Sequence, residues 1–176
     1  MIKKCLVGIL WICLISIGGH GSEKIILKAK KFEFDGKSNT FNAIGGVKID
    51  YNKVKIWAKR SQYEKDSKIV EVLGKVVVRQ GKMTLFCREL KALLKQDIIK
   101  ASGNIRLTFL DYEGSGDHIV FLLKENKAIL EGNPKLVQGN DSLVADKIIM
   151  NLEKNTIETK GKTRIKVIPK KEDEVS

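Results

Sequence analysis

Five glycines recur at a fixed interval of 29 residues along this chain of 176 residues. They are Gly45, Gly74, Gly103, Gly132 and Gly161. The residues between them agree with the interval, since mostly apolar residues stand two and four positions after each of the first four glycines: Val47/Ile49, Val76/Val78, Ile105/Leu107 and Pro134/Leu136. A repeat of this length indicates an architecture in which similar units stack along one axis.

The period inside each repeat is two residues. In GGVKIDY (45–51) and GNIRLTF (103–109) every second residue after the opening pair is apolar, and the residues between are polar. This alternation predicts half-buried β-strands. The segment RELKALLK (88–95) also fits a short helix, but the equivalent segments alternate, so we predict a strand there as well.

Turn-forming residues occupy two places in each repeat. One place lies seven or eight residues after the glycine, as in Gly81-Lys82, and the other near 22 residues after it, as in Asp66-Ser67. Two hairpins per repeat predict two long antiparallel strands, one of which runs through the marker glycine. We expect that glycine to face a small residue and to form a crease that bends the strand. The alternative is that each glycine begins a separate strand. The expected small partners stand thirteen positions after a glycine: Ala58, Cys87, Gly116 and Ala145.

The predicted fold is all-β: a bent, two-walled, open-ended antiparallel β-jellyroll built from 29-residue repeats. Its first and last strands close no ring, and open strand edges favour pairing with another chain. We predict that this assembly edge is formed by Ile26, Leu27, Arg164, Ile165 and Val167. Pro134 has no N–H to donate, so we expect a broken or bulged strand there.

The first 21 residues resemble a secretory signal peptide, with a basic start, an apolar run and small residues at a cleavage site. An uncleaved membrane anchor is the alternative. Residues 22–169 are then one domain, and 170–176 a disordered charged tail. The net charge of +12 falls to +10 without the leader, because Lys3 and Lys4 leave with it. A basic exported domain favours an anionic ligand or surface rather than nucleic acid.

The chain offers little catalytic chemistry. His118 and Cys87 are the only histidine and cysteine beyond the leader, and we interpret both as structural strand residues. One of each supplies no zinc site. We therefore predict no enzyme activity, catalytic residue, metal or cofactor.

Two walls that diverge from a crease leave an apolar groove between them. Such a groove suits the acyl chains of an amphiphile whose anionic headgroup remains outside; a packed, dry core is the alternative. The inner Ile, Val, Leu and Phe side chains would line this groove.

The segment GNPKLVQGNDSLVADKIIMNLEKNTIETKG (132–161) resembles the OstA-like (LptA) family of exported proteins. The repeated starts at Gly74, Gly103 and Gly132 carry the resemblance, which covers roughly 25–169. It implies a periplasmic protein that carries lipopolysaccharide from the inner to the outer membrane with lipid A acyl chains in its interior. The resemblance also implies that inward positions of the matching strands bind the lipid: Ile49, Ile56, Val78, Leu85, Leu107, Phe109, Phe121, Leu136, Leu143 and Ile148. It also implies head-to-tail self-association and partners of the LptC-like (inner-membrane) and LptD-like (outer-membrane) types. An anchored LptC-like component and a structural β-repeat protein are the alternatives.

Overall fold

The computed structural model describes residues 25–51 and 53–168, so the expected leader and charged tail lie outside the described residues. The described chain is almost entirely antiparallel β-sheet, as predicted, and residues 88–93 of RELKALLK lie in a strand. The strands are β1 Ile25–Lys28, β2 Lys31–Asp35, β3 Thr40–Tyr51, β4 Val54–Glu64, β5 Ile69–Gln80, β6 Met83–Leu93, β7 Ile98–Phe109, β8 Tyr112–Leu122, β9 Lys127–Glu131, β10 Lys135–Gln138, β11 Asp141–Val144, β12 Lys147–Asn151, β13 Thr156–Lys160 and β14 Arg164–Lys166. A 3-10 turn, Leu123–Glu125, joins β8 to β9.

The sheet is divided lengthwise into two walls. Along the long strands β3 to β8 the pairing register shifts once in every neighbouring pair, near the middle of the strands. Wall 1 consists of β2, β9, β12, β13 and residues 40–44, 60–64, 69–73, 89–93, 98–102 and 118–122. Wall 2 consists of β1, β10, β11, β14 and residues 47–51, 54–58, 76–80, 83–87, 105–109 and 112–116. The open, two-walled prediction is confirmed.

The crease between the walls lies at the marker glycines. All five have positive φ, from 72° to 85°. The following residue is also left-handed in four of the five repeats, as at Lys75 with φ 51°. Two successive left-handed residues cannot continue an extended strand, so they bend it and shift its register.

The prediction that each marker glycine faces a small residue was wrong. Three of the small residues pair instead with the residue two positions after a glycine, as Ala58 does with Val47, and Ala145 lies in the loop between β11 and β12. Each glycine packs under the side chain 15 residues before it, and these side chains are long or charged: Lys30, Lys59, Arg88, Asp117 and Asp146. The register shift is the cause, because it moves this residue, rather than its small neighbour, over the glycine.

Beyond Gly132 the long strands are replaced by short ones. β9 and β10 are separated by residues 132–134, β11 and β12 by 145–146, and β13 and β14 by 161–163. The break predicted at the buried Pro134 is confirmed. The expectation of two long strands in every repeat was therefore wrong for this part of the chain, where short loops connect the walls. The first strand is divided too, into β1 and β2.

The turns at the outer end of Wall 1 stack on one another. The carbonyls of Asn39, Lys68, Asp97 and Asn126 accept hydrogen bonds of 2.8–3.1 Å from the backbone N–H groups of Lys65, Leu94, Leu123 and Leu152. Each bond joins one turn to the turn of the next repeat, 26 residues further along. All four acceptor residues have positive φ, a conformation that Asn and Asp tolerate better than most residues.

Both ends of the sheet are open among the described residues. β1 and β2 pair only with β3, β13 pairs only with β12, and β14 pairs only with β11. Ile26, Leu27, Arg164 and Ile165 lie in these end strands, whereas Val167 lies just past β14. The open edges are as predicted; their role in assembly stays a prediction.

We predict that Gly103→Ala lowers the free energy of unfolding more than Gly46→Ala does. Both glycines have positive φ (80° and 75°), so both variants incur about 1–2 kcal/mol of backbone strain. Only at Gly103 would the new Cβ meet Arg88, at 2.8 Å from Nε and 3.0 Å from Cβ; at Gly46 nothing lies within 4 Å. Crowding should add about 1–3 kcal/mol, measured by urea denaturation. Equal losses in the two variants would show that packing at the crease contributes nothing.

Candidate functional site

Continuous rows of side chains line the inner faces of both walls. The register connects one inner row of Wall 2 across ten strands: Leu27, Ile49, Ile56, Val78, Leu85, Leu107, Gly114, Leu136, Leu143 and Ile165. A row of Wall 1 runs in the same way through Phe34, Phe41, Tyr63, Val70, Ala92, Ile99, Phe121, Ala128, Met150 and Ile157. The interior is therefore apolar along the whole stack.

The structure places all ten predicted groove residues on these inner faces. Nine of them are buried, with exposed fractions between 0% and 7%, and Leu143 is partly buried against the same cluster. Their inward placement is as predicted. That they bind lipid stays a prediction.

The inner rows remain exposed where they reach the open edges. Phe32 and Phe34 on β2 are 45% and 57% exposed, and Ile165 on β14 is 65% exposed. The ring of Phe34 lies 4.6 Å from that of Phe41, centre to centre, so the first strands present an aromatic surface at this end. The apolar interior thus opens at both ends of the stack.

The mouth of the trough is the side opposite the crease, where the hairpin turns of the two walls lie. We call the row of turns at the outer end of each wall a lip. Exposed lysines occur on both lips: Lys53 and Lys82 on Wall 2, and Lys65, Lys95, Lys124 and Lys154 on Wall 1. Gln80 of one lip and Leu123 and Leu152 of the other line the same void of about 10 Å³. A void of this size holds about one water molecule. The two lips therefore approach each other closely at this point.

Cys87 and His118 occupy structural positions. Cys87 is 6% exposed, and burial raises the pKa of its thiol to about 11. A thiol with that pKa is not a nucleophile at neutral pH. His118 lies exposed on the outer face of Wall 1, paired in register with Ser102 and Glu131. Within residues 25–51 and 53–168, three or more His, Cys, Asp or Glu side chains nowhere gather as a metal site would require. The same residues contain no helix long and apolar enough to cross a membrane.

Sequence reasoning missed an aromatic feature of the outer surface. Trp57 and Phe86 stand twelve positions after marker glycines and point away from the interior of Wall 2. The Arg79 guanidinium lies 5.4 Å from the Trp57 ring centre, and that of Arg106 lies 6.0 Å from the Phe86 ring centre. The sequence did carry a signal, because Trp57 and Phe86 occupy positions that the alternating pattern assigns to the polar, outward face of the strands.

Together these features define a class of protein: an open, two-walled antiparallel β-jellyroll with an apolar interior and a crease of regularly spaced glycines. A family model described as "LptA/(LptD N-terminal domain) LPS transport protein" matches residues 55–156, more than half of the chain. The chain belongs to this family of lipopolysaccharide transport proteins, whose function is not enzymatic. The OstA-like resemblance is thus confirmed.

Among solved structures, the chain is similar to LptH of Pseudomonas aeruginosa, described as the LptA-homologous periplasmic component of the conserved lipopolysaccharide transport device. The two share 13% identity with a TM-score of 0.35, over 84% of this chain and 96% of that one. No curated protein sequence gives a significant match.

We predict that Cys87 resists thiol reagents in the folded protein at pH 8 and reacts fully once the protein is unfolded in urea. Burial excludes the reagent and also raises the pKa of the thiol from 9.0 to about 11. The raised pKa means that Cys87 favours the folded state below pH 9 and that this contribution is lost as the pH rises through about 11. Absorbance during reaction with a chromogenic disulfide measures both rates. Comparable rates in the folded and unfolded protein would contradict the buried placement.

Proposed function

We propose that this protein is a periplasmic bridge that carries lipopolysaccharide from the inner to the outer membrane. In this proposal residues 1–21 are removed on export, and residues 22–169 form the one domain that holds the lipid. The observation that carries the proposal is the unbroken inner row of Wall 2, apolar from Leu27 to Ile165, which reaches exposed apolar side chains at the open edge of β14. Membership of a lipopolysaccharide transport family supports it.

The chemistry of the trough matches the two parts of such a lipid. Acyl chains between the walls would exchange water for apolar side chains, which is favourable by about 0.8 kcal/mol for each buried methylene. The exposed lysines of both lips, such as Lys82 and Lys95, would attract the phosphorylated headgroup at the mouth. No covalent step is needed, and direction would come from an energised partner that delivers lipid at one end.

Entry of acyl chains requires the lips to separate, because Gln80 and Leu152 now line a void of only about 10 Å³. The connections between the walls support such a movement in the C-terminal part. There the walls are joined only by the loops 132–134, 145–146 and 161–163, rather than by strands that continue through the crease. Loop residues absorb changes in φ and ψ that a paired strand cannot.

The open edges support assembly. We propose that β1 and β2 pair with the last strands of a second copy, and that the same edges pair with related domains of LptC-like inner-membrane and LptD-like outer-membrane proteins. Strand addition supplies backbone hydrogen bonds at an edge that already exposes them. It would also cover Phe34 at one end and Ile165 at the other, and so continue the apolar rows from one copy into the next.

A second candidate is a structural exported β-repeat protein with a dry core. The tight packing favours it, since Leu85, Leu130 and Ile148 are fully buried in this structure. The anchored, LptC-like alternative depends on the leader alone. A mature chain that begins at Ser22 supports the bridge, and an intact N-terminus supports the anchored protein.

We predict that a photo-crosslinking amino acid at Ile56 or Leu107 becomes joined to lipopolysaccharide in living cells. Both positions point into the interior and are 6% and 2% exposed. The products are identified by immunoblotting for the protein and for lipopolysaccharide. The same amino acid at Lys55 and at Lys100, which face outward, serves as the matched control. Crosslinks that form only within the protein, at all four positions, would establish the dry core.

We predict that deletion of residues 164–168 leaves a folded protein that no longer self-associates. β14 pairs with β11 alone and is fully exposed, so its loss removes an edge and little of the core. Sizing chromatography with light scattering measures the mass, and circular dichroism confirms the β-sheet. Substituting Lys154, an exposed turn residue, by Ser is the control and should leave the mass distribution unchanged. Oligomers of the same size in the deletion variant would refute assembly through β14.

A further inference from the structure

The outer faces of the two walls differ in charge. The two outward rows of Wall 2 hold eight cationic side chains and two carboxylates: Lys28, Lys48, Lys55, Arg79, Arg106, Lys135, Arg164 and Lys166, with Asp50 and Glu113. The equivalent rows of Wall 1 hold six cationic side chains and five carboxylates. They are Lys31, Arg60, Lys91, Lys100, Lys147 and Lys160, with Glu33, Glu71, Glu89, Glu131 and Glu158. Three ion pairs neutralise Wall 1, whereas Wall 2 has one, between Lys48 and Asp50. Within the described residues, Wall 2 thus presents unpaired cations.

A concavity of about 440 Å³ lies on this outer face of Wall 2. It spans β6, β7, β8 and β10, and its polar lining includes Arg106, Thr108, Glu113 and Lys135. Phe86 and Val137 give it an apolar part, and the Phe86 ring is 41% exposed. The concavity is an open depression of the surface rather than an enclosed cavity.

A tightly packed glycine of the core lies beneath the concavity. Gly114 occupies the inner-row position that Ile56, Leu85 and Leu143 fill in other repeats. A Cβ on Gly114 would lie 2.8 Å from both Leu107 Cγ and Leu136 Cδ2, so these two side chains already occupy the space of the missing one. Gly114 and Leu107 also line the concavity, so this glycine lies directly beneath it.

We propose that this concavity is a binding site for a phosphorylated saccharide, on the face of Wall 2 opposite the lipid-binding interior. Arg106 lies over one face of the Phe86 ring, 6.0 Å from its centre, and the part of the ring that stays exposed offers an apolar surface to the C–H face of a sugar. Arg106 and Lys135 lie in the same cross-strand row on either side of Ser115 and form no ion pair among the described residues, so both are available to an anionic group. Thr108 and Glu113 supply a hydroxyl and a carboxylate for sugar hydroxyls.

The arrangement favours a sugar phosphate over a bare anion or an acidic polypeptide. A bare phosphate would use the two cations and leave the exposed part of the Phe86 ring uncovered. An acidic polypeptide would bring carboxylates along the whole lining, where Glu113 repels them, whereas a sugar phosphate can place its one anionic group at Arg106 and Lys135. A sugar hydroxyl, by contrast, donates a hydrogen bond to that carboxylate.

The test is a nuclear magnetic resonance titration of the purified protein with glucose 6-phosphate, glucose, inorganic phosphate and poly-glutamate. We expect glucose 6-phosphate to give saturable shifts at the backbone amides of Thr108, Ser115 and Val137. Glucose and inorganic phosphate should each bind about tenfold more weakly, because each lacks one of the two interactions. Equal affinity for phosphate or for poly-glutamate, or shifts spread over all exposed lysines, would overturn the proposal.

Three variants locate the site. Phe86→Thr and Lys135→Gln should each weaken binding of glucose 6-phosphate about tenfold. Both side chains are exposed, so the fold should be retained, and the remaining amide resonances will show this. Lys100→Gln removes the same charge from the outer face of Wall 1 and should leave the affinity unchanged. If Lys100→Gln weakened the binding of glucose 6-phosphate as much as Lys135→Gln does, the effect would be one of overall charge, and the site would be refuted.

The source of the saccharide is distinguished with the delipidated, still phosphorylated saccharide of lipopolysaccharide. Binding at least tenfold tighter than that of glucose 6-phosphate would identify the headgroup of the proposed cargo, and equal binding a free phosphorylated sugar. Either result supports the site. The outcome is independent of the interior, because the crosslinks at Ile56 and Leu107 report acyl chains between the walls whether or not this outer site exists.

Discussion

The close packing of one side chain over a glycine at each crease is the contact on which the two-walled structure depends. At Gly74 the side chain is that of Lys59, whose carbons would lie 3.0–3.2 Å from an added Cβ. Gly74 and Lys75 are both left-handed, so the strand changes direction there and pairing resumes in a shifted register. The creases stack only if the glycine of every repeat lies at the same position along its strand. A repeat that is one residue longer or shorter would turn the inward side chains of the next strand outward. This explains why the 29-residue interval has no gap.

Local signals in the sequence predicted the walls, the turns and the inward side chains. Leu85 and Leu107 could be assigned to the interior because alternation is a property of one strand. The crease partner could not be predicted in the same way. Arg88 lies over Gly103 only because the register shifts between β6 and β7, which is a property of the strand pair. The outer concavity was missed for a related reason, since its lining comes from four neighbouring strands and so depends on how those strands pair.

The residue that covers each crease changes character along the stack. Lys30, Lys59 and Arg88 have aliphatic stems that lie over a glycine while the charged end remains in water. Asp117 and Asp146 are too short for this, and their carboxylates approach the backbone instead. Asp146 Oδ2 accepts a hydrogen bond of 2.9 Å from the Lys162 N–H. A backbone donor that has left the strand ladder needs such a partner. The aspartates therefore suit creases where the strand ends, and the lysines and arginine suit creases where it continues.

This difference divides the stack into two parts with different mechanical properties. Where strands continue through the crease, the walls can separate only by straining backbone that is hydrogen-bonded on both sides of the bend. Beyond Gly132 they are joined by loops of two or three residues, and separating them changes mainly the dihedral angles of those loops. The same part ends in β14, the exposed strand that carries Ile165. In the proposed bridge, a trough that opens most easily beside its proposed docking edge would pass an apolar chain on to a paired copy with the least exposure to water. The order of the crease residues, basic first and acidic last, would then favour the proposed transfer at the C-terminal end of the domain.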